Sequence, residues 1–124
     1  MGKFVVGFAF SVDRQTVLLI HKERPAWQQG RMNGVGGKIE DGESPLSAMV
    51  REFREETGLE EFEWDNFCIL QPPGNCVHFF RAFDDRVWDT VSTTDEQIAP
   101  CAVQLLPPEV LFNMNWLIPM ALDS

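Results

Sequence analysis

The spacing of apolar residues changes along the chain, and the elements follow from it. Phe4 to Val12 is rich in aromatic and β-branched residues, and Val17 to His21 is a second such run. The polar loop Asp13-Arg14-Gln15-Thr16 separates them, so the pair predicts a β-hairpin. Lys22 to Gly30 is polar and bounded by Pro and Gly, hence a loop. Arg31 to Ile39 reads as an extended glycine-rich segment, and Gly36, Gly37 and Gly42 with Asp41 carry turn chemistry. The period then lengthens. Leu46, Met49, Val50 and Phe53 recur at helical spacing and form one apolar stripe. Ser44 is a favoured N-cap, Pro45 suits a first helical position whose N–H has no partner, and Gly58 sits where a left-handed C-terminal cap belongs. Phe62 to Leu70 and Val77 to Phe83 predict a second hairpin around Pro72-Pro73-Gly74-Asn75. Arg86 to Val91 is expected as a short strand, Ser92 to Gln97 as a polar loop and Ala99 to Leu106 as another strand. Pro107-Pro108 is expected to open a C-terminal helix with Val110, Leu111, Met114, Leu117, Ile118 and Leu122 on its apolar positions. Pro119 should kink it or end its regular part. Runs of strands with two helices predict an α+β fold, a mixed sheet with helices packed on it, and the pattern leaves strand order open.

Composition sharpens this. At 124 residues and 44% hydrophobic, residues 1–124 are expected to form one domain with a real core. No apolar run is long enough to span a bilayer, and no basic segment precedes an apolar one at the N-terminus, so a cytoplasmic location without membrane contact is expected. Cys68, Cys76 and Cys101 are scattered, show no zinc spacing, and read as reduced structural thiols. The net charge is -9, and Lys38 to Glu63 holds nine acids against three bases. That disfavours nucleic-acid polymers, whose binding needs a basic surface. A small polyphosphate would be repelled too unless a metal screened it. The charge therefore argues for a divalent cation, and it also reads as a plain solubility device.

The helix concentrates this acidity. Glu52, Glu55 and Glu56 stand at i, i+3 and i+4 and share one face, where like charges repel by a few tenths of a kcal/mol per pair. Arg51 is spaced to pair with Glu55. Taken alone, such a face is either a solvated surface or a site for a hard divalent cation, which prefers oxygen ligands.

Gly37, Glu43, Arg51, Glu52, Phe53, Glu55, Glu56, Gly58 and Leu59 fit, without a miss, the G-x5-E-x7-R-E-U-x-E-E-x-G-U box of the Nudix hydrolases, U being a bulky apolar residue. The chain resembles that family. The resemblance implies an α/β/α sandwich and Mg2+-dependent hydrolysis of a nucleoside diphosphate linked to another group, with Mn2+ as a substitute ion. It implies metal ligands at the carbonyl of Gly36 and the carboxylates of Glu52, Glu55 and Glu56. Glu52 becomes the leading candidate base for the attacking water, with Glu55 beside it, and Arg51 orients the glutamates. Glu43 would tie the loop to the helix. Glu96, in the stretch Thr94-Asp95-Glu96 before Pro100-Cys101, is the candidate for a further metal acid, with a solvated turn as the plainer reading.

Gly30-Arg31-Met32-Asn33-Gly34-Val35-Gly36-Gly37-Lys38 resembles the G-R-x-N-G-x-G-G-K segment of MutT-type members and of the mammalian oxidised-purine triphosphatase. That implies a purine nucleoside triphosphate as substrate, 8-oxo-dGTP among the candidates, with the monophosphate and pyrophosphate as products. Asn33 becomes a base-reading candidate, since an amide offers both donor and acceptor. Trp27 could pack on a base. Lys22, Arg24 and Lys38 are candidates for the phosphate end, each also reading as a surface charge, and Gly37 is a further candidate substrate contact. At the C-terminal end Asn113 falls where a base-reading residue belongs, and Trp116 reads as helix packing. Pro72-Pro73 raises a rival, an ADP-ribose or other nucleoside-diphosphate hydrolase, and a turn explains the prolines as well. The protein is expected to act as a monomer or homodimer, and a non-catalytic nucleotide sensor is the alternative of another class. The intact box argues against it, because binding alone does not need all three helix carboxylates.

Overall fold

In the computed structural model, which describes residues 2–123, the elements run β1 (Gly2–Phe10), β2 (Thr16–His21), β3 (Met32–Asn33), β4 (Val35–Lys38), α1 (Pro45–Thr57), β5 (Asp65–Leu70), β6 (Asn75–Phe83), β7 (Ile98–Ala102) and α2 (Met114–Leu122). The strands form one mixed sheet. β1 lies parallel to β6, with Gly2 beside Asn75 and Phe10 beside Phe83. It is antiparallel to β4 on its other side, with Phe4 opposite Lys38 and Gly7 opposite Val35. β2 pairs antiparallel with both β3 and β7, and β5 pairs antiparallel with β6.

Side chains alternate across this sheet, and a helix covers each face. Val5 and Ala9 of β1, Leu18 and Ile20 of β2, and Phe80 and Ala82 of β6 pack with Ala48, Met49 and Phe53 of α1. Phe8, Phe10, Val17, Leu19 and Phe79 pack with Met114, Leu117, Ile118 and Ala121 of α2. Each large apolar side chain so buried contributes on the order of 1.5–3 kcal/mol. Burial on both faces is why Val17 to Ile20 reads as an unbroken apolar run. The result is the expected α+β sandwich. α1 sits where its signals put it: the Ser44 hydroxyl accepts from the Ser47 N–H at 3.0 Å, Pro45 opens the helix, and Gly58 closes it at φ 76°.

Several boundaries differ from expectation. Where Arg86 to Val91 is expected as a strand, a 3-10 helix, Asp85–Asp89, overlaps it instead. Asp84 caps it, accepting from the Arg86 N–H at 2.9 Å, and Val87 is buried against the α1 face of the sheet. β5 starts at Asp65 because Phe62 and Trp64 turn inward onto Phe53, with ring centroids 4.7 and 5.1 Å away. β7 ends at Ala102, and a 3-10 turn follows it. Pro107-Pro108 does not open the C-terminal helix. The Met32 N–H donates to the Glu109 carbonyl and the Leu111 N–H to the Met32 carbonyl, both at 2.9 Å. Those backbone groups are used in pairing with β3, so α2 begins only at Met114. Pro119 lies inside α2 and does not end it. The Asn115 carbonyl it leaves without a helical donor is on the exposed side, where water can serve. Trp116 is also on that side, 41% exposed, rather than packed inside. Among the described residues no helix is long and apolar enough to cross a membrane.

Candidate active site

β4 lies under α1, and this contact assembles the acidic site. Gly36 and Gly37, expected to serve a turn, are strand residues paired with Val6 and Val5. Both positions require the missing side chain. A Cβ on Gly36 would lie 1.9 Å from the Val5 carbonyl oxygen, and one on Gly37 would lie 2.5 Å from the Glu52 carboxylate. Gly42, at φ 84°, makes the turn that follows.

Arg51 is the hub. Its Nε and Nη2 grip Glu43 at 2.7 and 2.9 Å, and Nη2 also donates to the Lys38 carbonyl at 2.9 Å. Nη1 reaches Glu52 at 2.9 Å and Glu55 at 3.3 Å. Glu43 accepts from the Glu40 N–H as well, so it does tie the loop to the helix. The Arg51 guanidinium, with that N–H, holds the Glu43 carboxyl down at about 2. Glu52 and Glu56 shift the other way. Burial raises both, against the pull of Arg51 on Glu52 and of the Thr94 hydroxyl, 2.7 Å away, on Glu56. Neighbouring glutamates add to the rise. Glu55 is exposed, and its carbonyl takes the Thr93 hydroxyl.

Among the described residues no three acidic, His or Cys groups close around a common point as a finished cage would. The donor set nevertheless fits a hard divalent cation. It is all oxygen, it stands on one helix face, and two of its members are raised by burial and mutual repulsion that a cation would relieve.

Beside this cluster opens a cleft of about 450 Å³. Of the expected substrate residues, Lys22, Trp27, Asn33, Gly37, Lys38 and Asn113 all line it, as does Gly36. Arg24 is directed instead to Asp95, at 2.6 and 3.1 Å. Trp27 is 71% exposed. Asn33 is tied locally, its amide nitrogen 3.3 Å from Gln28 and its oxygen accepting from the Gly34 N–H at 2.7 Å. Asn113 differs, because its Oδ1 is buried with no hydrogen-bond partner among the described residues. Glu96 is held by Lys22 and by the N–H groups of Glu23 and Arg24. Burial would raise Glu96, but these donors outweigh it and hold the carboxyl below its usual value.

Reading the sequence missed Leu70 and Asn75, on the far wall of the cleft, and Thr93 and Thr94 over the end of α1. The far wall arrives through the parallel pairing of β1 with β6, which leaves no local sign. The threonines sit in the polar loop singled out for Glu96, and hydroxyls beside an acidic cluster were the available signal.

The family model of the NUDIX domain matches residues 3–120. The structure is similar to MutT described from Aliivibrio salmonicida and Vibrio cholerae, at TM-score 0.74 and 22% identity, over 97% of this chain and 96% of that one. It is similar to the MutT NUDIX hydrolase of Burkholderia pseudomallei, at TM-score 0.74 and 18% identity, over 95% and 97%. The NUDIX domain of Shewanella oneidensis NrtR, complexed with ADP ribose, matches at TM-score 0.71 and 18% identity, over 96% and 84%. With the family box intact on α1 and the family domain matched over nearly the whole length, the chain belongs to the Nudix hydrolases.

Proposed function

We propose that this enzyme is a Mg2+-dependent pyrophosphohydrolase of a purine nucleoside triphosphate, with oxidised purines such as 8-oxo-dGTP among its substrates. The observation that carries the reading is Asn113 Oδ1, a buried acceptor without a donor among the described residues, in a cleft also lined by Gly37, which lies against Glu52. An unpaired buried acceptor is unfavourable by about 1–3 kcal/mol, and a purine N–H would satisfy it. Asn33 stands in the same cleft with an amide held by Gln28 and Gly34, ready to read a second edge atom. With the base at that end, the phosphates run toward Gly37, Lys38 and Lys22.

Glu52, Glu55, Glu56 and the Gly36 carbonyl would hold the cation. Bound Mg2+, or Mn2+ in its place, supplies charge neutralisation at the phosphates and acidifies a water. Glu52, raised by burial, is suited to take that water's proton. Arg51 keeps Glu52 and Glu55 in place and neutralises Glu43. Pyrophosphate release from a panel of triphosphates with Mg2+ tests the reading. We expect the highest kcat/KM on a purine triphosphate. Indifference to the base, or no release at all, would sink it.

One observation favours a second reading. Pro72 lines the cleft, and the NrtR domain that shares this fold is complexed with ADP ribose. ADP-ribose in the same panel separates the two, since AMP and ribose phosphate would then appear without pyrophosphate.

A further inference from the structure

Glu96 is the one buried acid among the described residues, 4% exposed. Its oxygens are already engaged. Oε1 takes the Lys22 ammonium at 3.0 Å, and Oε2 takes the N–H groups of Glu23 at 2.6 Å and Arg24 at 3.1 Å. All three donors stand at the start of the loop between β2 and β3. From that loop Lys22, Pro25, Trp27 and Gln28 reach the cleft. Asp95, the preceding residue, grips the same loop through Arg24. The three donors leave Glu96 one open lone pair, on Oε1, and a cation that took it would crowd the half-buried Lys22 ammonium on the same oxygen. Two cations on one oxygen of a largely buried carboxylate repel each other, which is unfavourable where water screens them poorly. Thr94, two residues earlier, donates to Glu56, so the loop that carries Glu96 bonds to the acidic cluster through a hydroxyl, while the Glu96 carboxylate acts on Glu56 as a nearby charge.

We infer that Glu96 is a positioning residue that fixes the cleft wall through Lys22 and the backbone of Glu23 and Arg24, and that the divalent cation is held without it. The inference concerns the same site as the proposed function. Only its kinetic arm rests on that function.

Glu96→Gln tests it on three readouts. Mn2+ binding to the nucleotide-free protein, followed by electron paramagnetic resonance, should stay within about twofold of the parent. Amide hydrogen exchange at Glu23 and Arg24 should quicken by about tenfold or more, because their shared acceptor is weakened. KM for the best triphosphate should rise about tenfold or more, with kcat within about threefold, because the wall and not the reacting centre is disturbed. A tenfold loss of Mn2+ affinity overturns the inference, and so does unchanged exchange at Glu23 and Arg24. If no nucleotide is turned over, the metal and exchange arms still decide. Should Glu96→Gln not fold, Lys22→Gln carries the same test. It should loosen the loop and change Mn2+ affinity by less than about fivefold, the effect of removing a cation that acts on Glu56. A tenfold gain in Mn2+ affinity would mean that the freed Glu96 had joined the cation, and would overturn the inference as surely.

Discussion

At the scale of single residues, the glutamates around Arg51 have similar chemistry and opposite electrostatics. Glu43 faces a guanidinium and is held at about 2, down from 4.5. Its ionised form is favoured in the folded protein. The stability it lends is therefore fully present above about pH 4.5 and is lost as pH falls through about 2. Glu43→Gln should lower stability at neutral pH and flatten the acid limb between those values. Urea unfolding from pH 6 down to pH 2 reads this directly, and an acid limb as steep as the parent's would show that Arg51 does not act on Glu43. Glu52 is the reverse case, a carboxyl raised by burial against Gly37. If it takes the proton of the attacking water, Glu52→Gln should lower kcat by roughly 10²-fold or more at saturating Mg2+. A loss under about threefold would move the base to another residue.

At the scale of elements, two adjacent glycines in β4 serve different partners. Gly36 lets the strand pair with β1, and a Cβ there would strike the Val5 backbone. Gly37 leaves room for the Glu52 carboxylate, the end of a flexible side chain. Gly36→Ala should therefore destabilise the fold by about 3 kcal/mol or more, since backbone cannot give way. Gly37→Ala should keep most of the stability and lose activity, because Glu52 must swing off its position. Thermal melts of both variants beside pyrophosphate release check this. Equal melting temperatures would undo the distinction between them.

At the scale of the whole molecule, the cleft gathers residues from β1, β4, the loop after β2, the β5–β6 hairpin and the segment before α2. The proposed base readout belongs to this scale, since Asn33 and Asn113 line one cleft through the pairing of β3 with residues 109–111. Asn113→Ala should cut kcat/KM on the best purine triphosphate by about 1–3 kcal/mol, the range for a paired edge contact, and barely touch a pyrimidine triphosphate. Trp27→Ala should weaken all bases more evenly, because stacking tolerates base identity. Equal losses on every substrate for Asn113→Ala would make it a structural residue and leave selectivity to Asn33.

What the sequence determined by itself is local. The cap at Ser44, the stop at Gly58, the shared face of Glu52, Glu55 and Glu56 and the reach of Arg51 to Glu55 all follow from helical geometry within four residues, and they stand as expected. The run Val17 to His21 was likewise legible as a strand, and the burial of both its faces is what the fold added. Tertiary structure decided whatever depends on which distant backbone pairs with which. The N–H and C=O groups of residues 109–111 could have entered a helix, and their pairing with Met32 settled otherwise. The parallel contact of β1 with β6 brought Leu70 and Asn75 to the cleft. Glu96 acquired its partners across more than seventy residues. Strand pairing carries no fixed sequence separation, whereas a helix turn does, and that difference divides what could be read from the chain from what had to be seen folded.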